Sequence, residues 1–312
     1  MRGKDFISIR DFSSDELLAL IASAREMKAD PHRFAHALEG RTLALIFEKP
    51  SLRTRVSFDV GIQQLGGFSV YLSPQEISLG KRESVRDVAK NLERMVQAIM
   101  VRTFAHSIVE ELADAASIPV INGLTDFSHP CQAMADYMTL LEVRGRLQGA
   151  KLAFVGDGNN VANSLLFAGT RFGVHVSIAT PPGYEPRADV LEWCRTNATS
   201  TGSRIVVTND PAEAVRGADA VYTDVWASMG QEAEAAARAR VFAPYQVNQA
   251  LFDEAGHDAV FMHCLPAHRG DEVTAEVIDS RRSVVFQQAE NRLHAEKAIM
   301  FAVIGQVTYA HA

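Results

Sequence analysis

The sequence predicts an α/β protein of two units, each a parallel sheet flanked by helices. Three observations lead there. Short apolar, β-prone runs alternate with helical patterns along the chain, the signature of parallel α/β units. The alternation comes as two series, separated by a long helical pattern over 130–144. The chain has 312 residues, 47 % hydrophobic and 22 % charged, which is ordinary globular composition and long enough for two cores.

The elements follow in order. A helix is expected over 13–27, then a strand at 42–47 (TLALIF). Pro50-Ser51 reads as a helix start with Ser51 as N-cap, opening a helix over 51–65. Strands at 68–72 (FSVYL), 97–101 (QAIMV) and 118–121 (IPVI) alternate with helices at 84–95 and 107–115. The 130–144 pattern runs from Pro130 through Met134, Met138 and Leu141. The second series is 151–155 (KLAFV), 174–179 (VHVSIA), 204–207 (RIVV), 219–223 (DAVYT), 259–262 (AVFM) and 283–286 (SVVF). A helix over about 291–308 closes the chain. No internal repeat or low-complexity tract interrupts this order.

Bulk charge narrows the function. A net charge of -7 gives a nucleic-acid role no support, although a local basic site can still bind an anion. Three cysteines, Cys131, Cys194 and Cys264, form no disulfide scaffold and fit a reducing compartment. MRGKDFISIRDFSSDELLAL lacks an apolar signal core, and no run approaches ~18 apolar residues, so no membrane span is expected. A cytoplasmic location is the expectation.

Ligands of open α/β sheets bind at the carboxyl ends of strands, and the unusual residues fall there. After TLALIF comes Ser51-Leu52-Arg53-Thr54-Arg55. A helix N-terminus already carries partial positive charge, so two arginines in its first turn are misplaced unless an anion binds. Backbone N–H groups, hydroxyls and guanidiniums together describe a phosphate cradle; solvated surface arginines are the plain alternative. No GxxxxGK[ST] loop is present. Arg102 directly follows QAIMV. Phe127-Ser128-His129-Pro130-Cys131-Gln132 places His129 and Gln132 about one turn apart, both able to hydrogen-bond a carbonyl. A nucleophilic pair of His129 and Cys131 is conceivable, but Cys131 lies in the helix start and reads as packing.

Gly156-Asp157-Gly158-Asn159-Asn160 is half a dinucleotide fingerprint. Val161 stands where the third glycine belongs, and the next strand ends in Ala179-Thr180-Pro181 with no acid for a ribose. The loop instead presents Asn160 to a small polar ligand. In Asp224-Val225-Trp226-Ala227-Ser228-Met229-Gly230, Asp224 suits an amine and Ser228 with the following backbone an amino-acid head group. Its apolar residues suggest a loop that closes over a site. His263-Cys264-Leu265-Pro266-Ala267-His268 raises zinc, but without CxxC or a fourth ligand Cys264 reads better as a contact to a substrate amine. Glu290-Asn291-Arg292 places another arginine at the expected start of the last helix.

In this order, SLRTR, Arg102, HPCQ, GDGNN, DVWASMG, HCLP and ENR resemble the aspartate/ornithine carbamoyltransferase family, from about residue 4 to 308. GDGNN, the SMG loop and the HCLP cysteine resemble its ornithine branch rather than the aspartate one. The resemblance implies a carbamoyl-phosphate-binding domain over 1–140, completed by a returning C-terminal helix at 291–312, and an ornithine-binding domain over 141–290. It implies carbamoyl transfer from carbamoyl phosphate to L-ornithine, giving L-citrulline and phosphate, with no metal or organic cofactor.

By the same resemblance Ser51, the Leu52 backbone, Arg53, Thr54 and Arg102 hold phosphate. His129, Gln132, Arg292 and the Cys264-Leu265 backbone orient the carbamoyl group. Asn160, Asp224, Ser228 and Met229 hold ornithine, with Asp224 and Cys264 near its reacting amine. Arg55 supports the loop. The expected catalytic set is His129, Arg102, Cys264, Asp224 and Arg292.

The family also implies a homotrimer or a multiple of trimers, in which a loop reaches the neighbouring subunit's site. Here that loop is 77–83, with Ser78 at the contacting position and Lys81 nearby. Leu52 departs from the family's usual threonine. A transcarbamylase acting on putrescine or an acylated ornithine, a nicotinamide dehydrogenase and a non-catalytic binding relative are the competing readings.

Overall fold

Residues 1–305 are described by the structure, a computed structural model. They form two parallel sheets. The first contains β1 (Thr42–Phe47), β2 (Phe68–Leu72), β3 (Ala98–Arg102) and β4 (Val120–Leu124), in the order β2-β1-β3-β4. The second contains β5 (Lys151–Val155), β6 (His175–Ala179), β7 (Ile205–Thr208), β8 (Ala220–Thr223) and β9 (Val260–His263), in the order β7-β6-β5-β8-β9. β3 and β4 are buried at every residue, as strands covered on both faces must be, whereas the edge strand β2 is partly exposed along its length.

Strand order reverses once in each sheet. In the first the reversal lies between β1 and β3, in the second between β5 and β8. Loops leaving adjacent strands at such a point diverge and leave a crevice. SLRTR follows β1 and Arg102 ends β3. GDGNN follows β5 and Asp224 follows β8. The motifs thus occupy the two positions where the topology opens a ligand site.

Met1–Met134 with Arg292–Ala312 forms one compact unit, and Ala135–Asn291 the other. In the first, Ala44, Ile46, Ile99 and Val101 pack beneath Val85, Val88, Val109 and Leu112 of the covering helices. In the second, Ala153, Val155, Val221 and Phe261 pack against Ala214, Phe252 and Val277. Each fully buried Val, Leu, Ile or Phe side chain contributes about 1.5–3 kcal/mol.

Two expected elements are corrected. The strand expected at 118–121 runs over Val120–Leu124. Pro119 has no N–H for a ladder, and contributes only its carbonyl, to Ile99 N at 2.9 Å. The strand continues through Asn122-Gly123, and position 123 takes a glycine because Met100 fills the space a Cβ would need, its Sδ 2.4 Å from that position. SVVF at 283–286 is no strand. Ser283 makes a single bridge to Phe261, and a helix starts at Val285 and runs to Ile304. Gln288 Nε2 donates to Asp136 Oδ1 at 2.6 Å, so the helix's early turns are already committed to side-chain bonds. Positions 306–308 of the expected last helix lie outside the described residues. No helix among the described residues is long and apolar enough to cross a membrane.

Candidate active site

In the first unit the site is built on the helix Leu52–Gln64. Ser51 caps it: its Oγ accepts from Thr54 N at 3.2 Å, and the first turn contains no acidic residue. Positions 53 and 55 point about 200° apart around a helix, so the two arginines separate. Arg53 is half-buried. Arg55 is exposed and lays its guanidinium over the Tyr71 ring at 3.8 Å. Leu52, 75 % exposed, directs its side chain to solvent and leaves its backbone to the helix start.

Thr54 is fully buried, and its Oγ1 accepts from two guanidiniums. Arg102 Nη1 lies 3.3 Å away and Arg292 Nη2 2.8 Å away. Arg102 is the last residue of β3 rather than the residue after it, and the register with β4 shifts between Val101 and Arg102. Such an irregularity re-aims a side chain at a strand end. Arg292 Nη1 donates to Gln132 Oε1 at 3.0 Å. Its Nε and Nη2 both donate to Glu296 Oε1, at 3.1 and 2.7 Å.

Arg292 therefore differs from expectation. It sits two turns inside the Val285–Ile304 helix, not at its start, and its charge is met by Glu296 one turn on. The buried His129 imidazole is held well below its usual range, first by burial and then by Arg292, Arg102 and Arg53. It is neutral at neutral pH, a hydrogen-bonding group rather than a cation. Cys131 packs: its Sγ donates to Asn122 O at 3.4 Å, and burial pushes its thiol well up. That removes it as a nucleophile. Ser78 is committed locally, its hydroxyl donating to Pro74 O at 2.9 Å in the short helix it terminates.

In the second unit Asn159 stands directly before the predicted Asn160. It caps the helix Asn160–Phe172, accepting from Val161 N at 2.9 Å and Ala162 N at 3.2 Å. Its Nδ2 donates to Asp224 Oδ2 at 2.9 Å. Asn160 begins the helix and is half-buried. Gly158 is required because a Cβ there would lie 2.3 Å from Pro186 N. The chain at 184–186 occupies the close approach that a dinucleotide fingerprint reserves for pyrophosphate.

Asp224 Oδ1 accepts from Val225 N at 2.8 Å and from Cys264 Sγ at 3.0 Å. With Asn159 that makes three hydrogen bonds on a carboxylate offering about four acceptor sites, which leaves room for a cationic donor. The loop after Asp224 is anchored by Arg238, a residue the sequence gave no reason to single out. The Arg238 guanidinium donates to Trp226 O and Asp157, and lies over Tyr184 and Phe242 at 5.0 and 5.1 Å. Burial, only partly offset by Arg238, raises the Asp157 carboxyl to about 6. Ser228 N donates to Gln231 Oε1 at 3.0 Å, and Met229 is exposed.

His263 Nδ1 accepts from Leu265 N at 2.8 Å, so its Nε2 carries the proton and donates to Glu272 Oε1 at 3.2 Å. Burial works against ionisation of Glu272, but bonds from His263 and the backbone at His268 hold it below its usual range. This pair braces the loop in which Leu265 takes a φ of 59° ahead of a cis bond to Pro266. The zinc set raised from His263, Cys264 and His268 is split: His263 and Cys264 group with Asp224, and both His263 nitrogens already hold hydrogen bonds. His268 groups instead with Asp271 and Glu272.

Two parallel α/β units carry polar clusters at their switch points, where open α/β sheets bind ligands. The comparisons make this specific. Residues 4–142 match the aspartate/ornithine carbamoyltransferase carbamoyl-P binding domain, and residues 148–303 the Asp/Orn binding domain of the same family. The chain is 55 % identical over 312 residues to an ornithine carbamoyltransferase of Thermococcus kodakarensis, with 98 % of each covered. It is 51 % identical over 314 residues to an anabolic ornithine carbamoyltransferase of Pyrococcus furiosus, with 99 % of each covered. A solved structure of ornithine carbamoyltransferase from Pyrococcus furiosus superposes with a TM-score of 0.94 at 52 % identity, covering 98 % of this chain and 99 % of that one. The chain belongs to the aspartate/ornithine carbamoyltransferase family.

Proposed function

We propose that this chain transfers the carbamoyl group of carbamoyl phosphate to the side-chain amine of L-ornithine, giving L-citrulline and phosphate. The observation that carries the reading is the convergence of Arg102 and Arg292 on Thr54 Oγ1, beside a helix start without acidic residues. A hydroxyl accepting from two cations turns its own hydrogen away from them, as a donor for an incoming oxygen.

In this reading the domain of residues 1–140 with the C-terminal helix takes carbamoyl phosphate, and that of 141–290 takes ornithine. Ser51, the Leu52 backbone, Arg53, Thr54 and Arg102 hold the phosphate. His129, Gln132, Arg292 and the Cys264-Leu265 backbone orient the carbamoyl group. Asn160, Asp224, Ser228 and Met229 hold ornithine, Asp224 and Cys264 beside the amine; Asn159 joins the set through its bond to Asp224.

The attacking amine must be neutral. A lysine-like amine of pKa ~10.4 is about one part in a thousand free at pH 7.4, a deficit of ~4 kcal/mol. Desolvation lowers that deficit. Attack forms the new C–N bond and a tetrahedral oxyanion, stabilised by neutral His129, Arg292 and the Thr54 hydroxyl. Collapse breaks the C–O bond to phosphate, and the leaving phosphate accepts the amine's proton. No separate strong base is required.

A citrulline-type colorimetric assay with ornithine, N-acetylornithine and putrescine side by side tests the reading. Turnover of ornithine alone is expected, because putrescine lacks the α-carboxylate and N-acetylornithine the α-ammonium that the second unit would hold. Preference for either other amine overturns it.

The enzyme is further proposed to be cytoplasmic, which its three free cysteines support, and to be a homotrimer or a multiple of trimers. Support for assembly comes from Phe68, Val70 and Met95, which leave apolar surface exposed on the first unit. Light scattering giving a monomer mass would remove the trimer.

A further inference from the structure

Glu296 is a fully buried carboxylate within a group of arginines proposed to bind an anion. That placement needs a reason, because a negative charge there opposes phosphate binding. It is no remedy for exposed surface, and a buried ion pair is weak support for stability. Its geometry is specific. One oxygen, Oε1, receives both Nε and Nη2 of Arg292 in an edge-on grip; burial raises the carboxyl, and Arg292, Ser57 and Arg102 work to keep it ionised. That grip leaves Nη1 directed at Gln132 and the second hydrogen of Nη2 directed at Thr54. Arg102, Ser57 and the Cys131 thiol also interact with it, so Glu296 is in electrostatic contact with both guanidiniums that meet at Thr54.

We propose that Glu296 is a positioning residue, which fixes the Arg292 guanidinium in the plane that meets Gln132 and Thr54 and tempers the charge of the phosphate cradle. This rests on the carbamoyl-phosphate reading above. Orientation and charge act in opposite directions. A freely turning Arg292 loses its aim at the carbamoyl oxygen, and turnover falls. A cradle without its internal anion attracts phosphate more strongly, so the product leaves less readily. A residue that merely supported the fold would weaken both together.

The test compares the full-length wild type with Glu296→Gln and Glu296→Ala, reading kcat, KM for both substrates, inhibition by inorganic phosphate and thermal melting. Glu296→Ala is expected to lower kcat about tenfold or more while ornithine KM stays within about twofold. In both variants inorganic phosphate is expected to inhibit several-fold more tightly, since a buried anion beside the arginines is gone. Glu296→Gln keeps an amide oxygen for Arg292 and should recover much of kcat while retaining the tighter phosphate binding.

Wild-type kcat and phosphate inhibition in Glu296→Gln and Glu296→Ala would overturn the proposal. So would phosphate binding that weakens in Glu296→Gln. If Glu296→Ala does not fold, the glutamine variant decides, because its phosphate affinity must still rise. A wild type that forms no citrulline defeats the functional reading instead, and phosphate-dependent melting shifts of wild type and Glu296→Gln still read the charge effect.

Discussion

Arg292 Nη2 donates to Thr54 Oγ1 at 2.8 Å, joining residues 238 positions apart in the chain. Arg102 reaches the same oxygen from the end of β3 at 3.3 Å. Thr54 is therefore the point where a capped helix, a strand end and the last helix meet. Thr54→Val keeps the shape but leaves two buried guanidiniums short of an acceptor. It should destabilise the fold by about 1–3 kcal/mol and cut kcat by about a hundredfold, while Thr54→Ser retains most of both. Melting curves and citrulline formation check this. Full activity in the valine variant would remove Thr54 from the chemistry.

Arg53 shares the first turn with Thr54 but is only half-buried, so it supports little of the core. Arg53→Ala should lower kcat/KM for carbamoyl phosphate by two or more orders of magnitude, with melting unchanged to within a few degrees. A near-normal kcat/KM would defeat the phosphate cradle.

Leu52 separates backbone from side-chain contributions. Its side chain is exposed, and only its backbone belongs to the helix start. Leu52→Ala should leave KM for carbamoyl phosphate within about twofold, because the contact it offers is an N–H that every residue but proline has. A large rise in KM would mean that the side chain itself takes part.

Amine protonation governs the pH profile. At subsaturating ornithine the rate should rise close to tenfold per pH unit from pH 7 towards 9, following the neutral amine fraction. His129 adds no fall across this range, since burial and three arginines hold it neutral throughout. A flat profile measured with saturating carbamoyl phosphate would exclude neutral-amine control.

Asp157 predicts a second, separate pH effect. Its carboxyl is raised to about 6, so it is ionised above that pH and pairs with Arg238, which also grips the Trp226 carbonyl. Below about 6 it takes up a proton and that anchor of the Asp224–Gly230 loop weakens. L-norvaline has no side-chain amine to titrate, and it should inhibit several-fold less well at pH 5 than at pH 7. Asp157→Asn should remove most of that difference. An unchanged pH dependence in the variant would show that Asp157 does not control the loop.

Local sequence alone determined much of this protein. The alternation of apolar runs and helical patterns set the two parallel sheets, since which stretch forms a strand or a helix depends on near neighbours. Ser51 was readable as a cap because capping is a bond to a residue three positions on. The motifs were readable because polar residues cluster where strands end.

Tertiary structure decided what depended on distant partners. Arg292 looked like a charge at a helix start, because SVVF reads as β-prone until Gln288 is seen bonded to Asp136. Asn159 and Asn160 are the same residue type side by side. Only the cap geometry and the position of Asp224 separate their roles. Arg238 and Glu296 carry no local signal, since charged residues in helical sequence usually face water. Their burial follows from packing against groups far away in the chain, which no local pattern encodes.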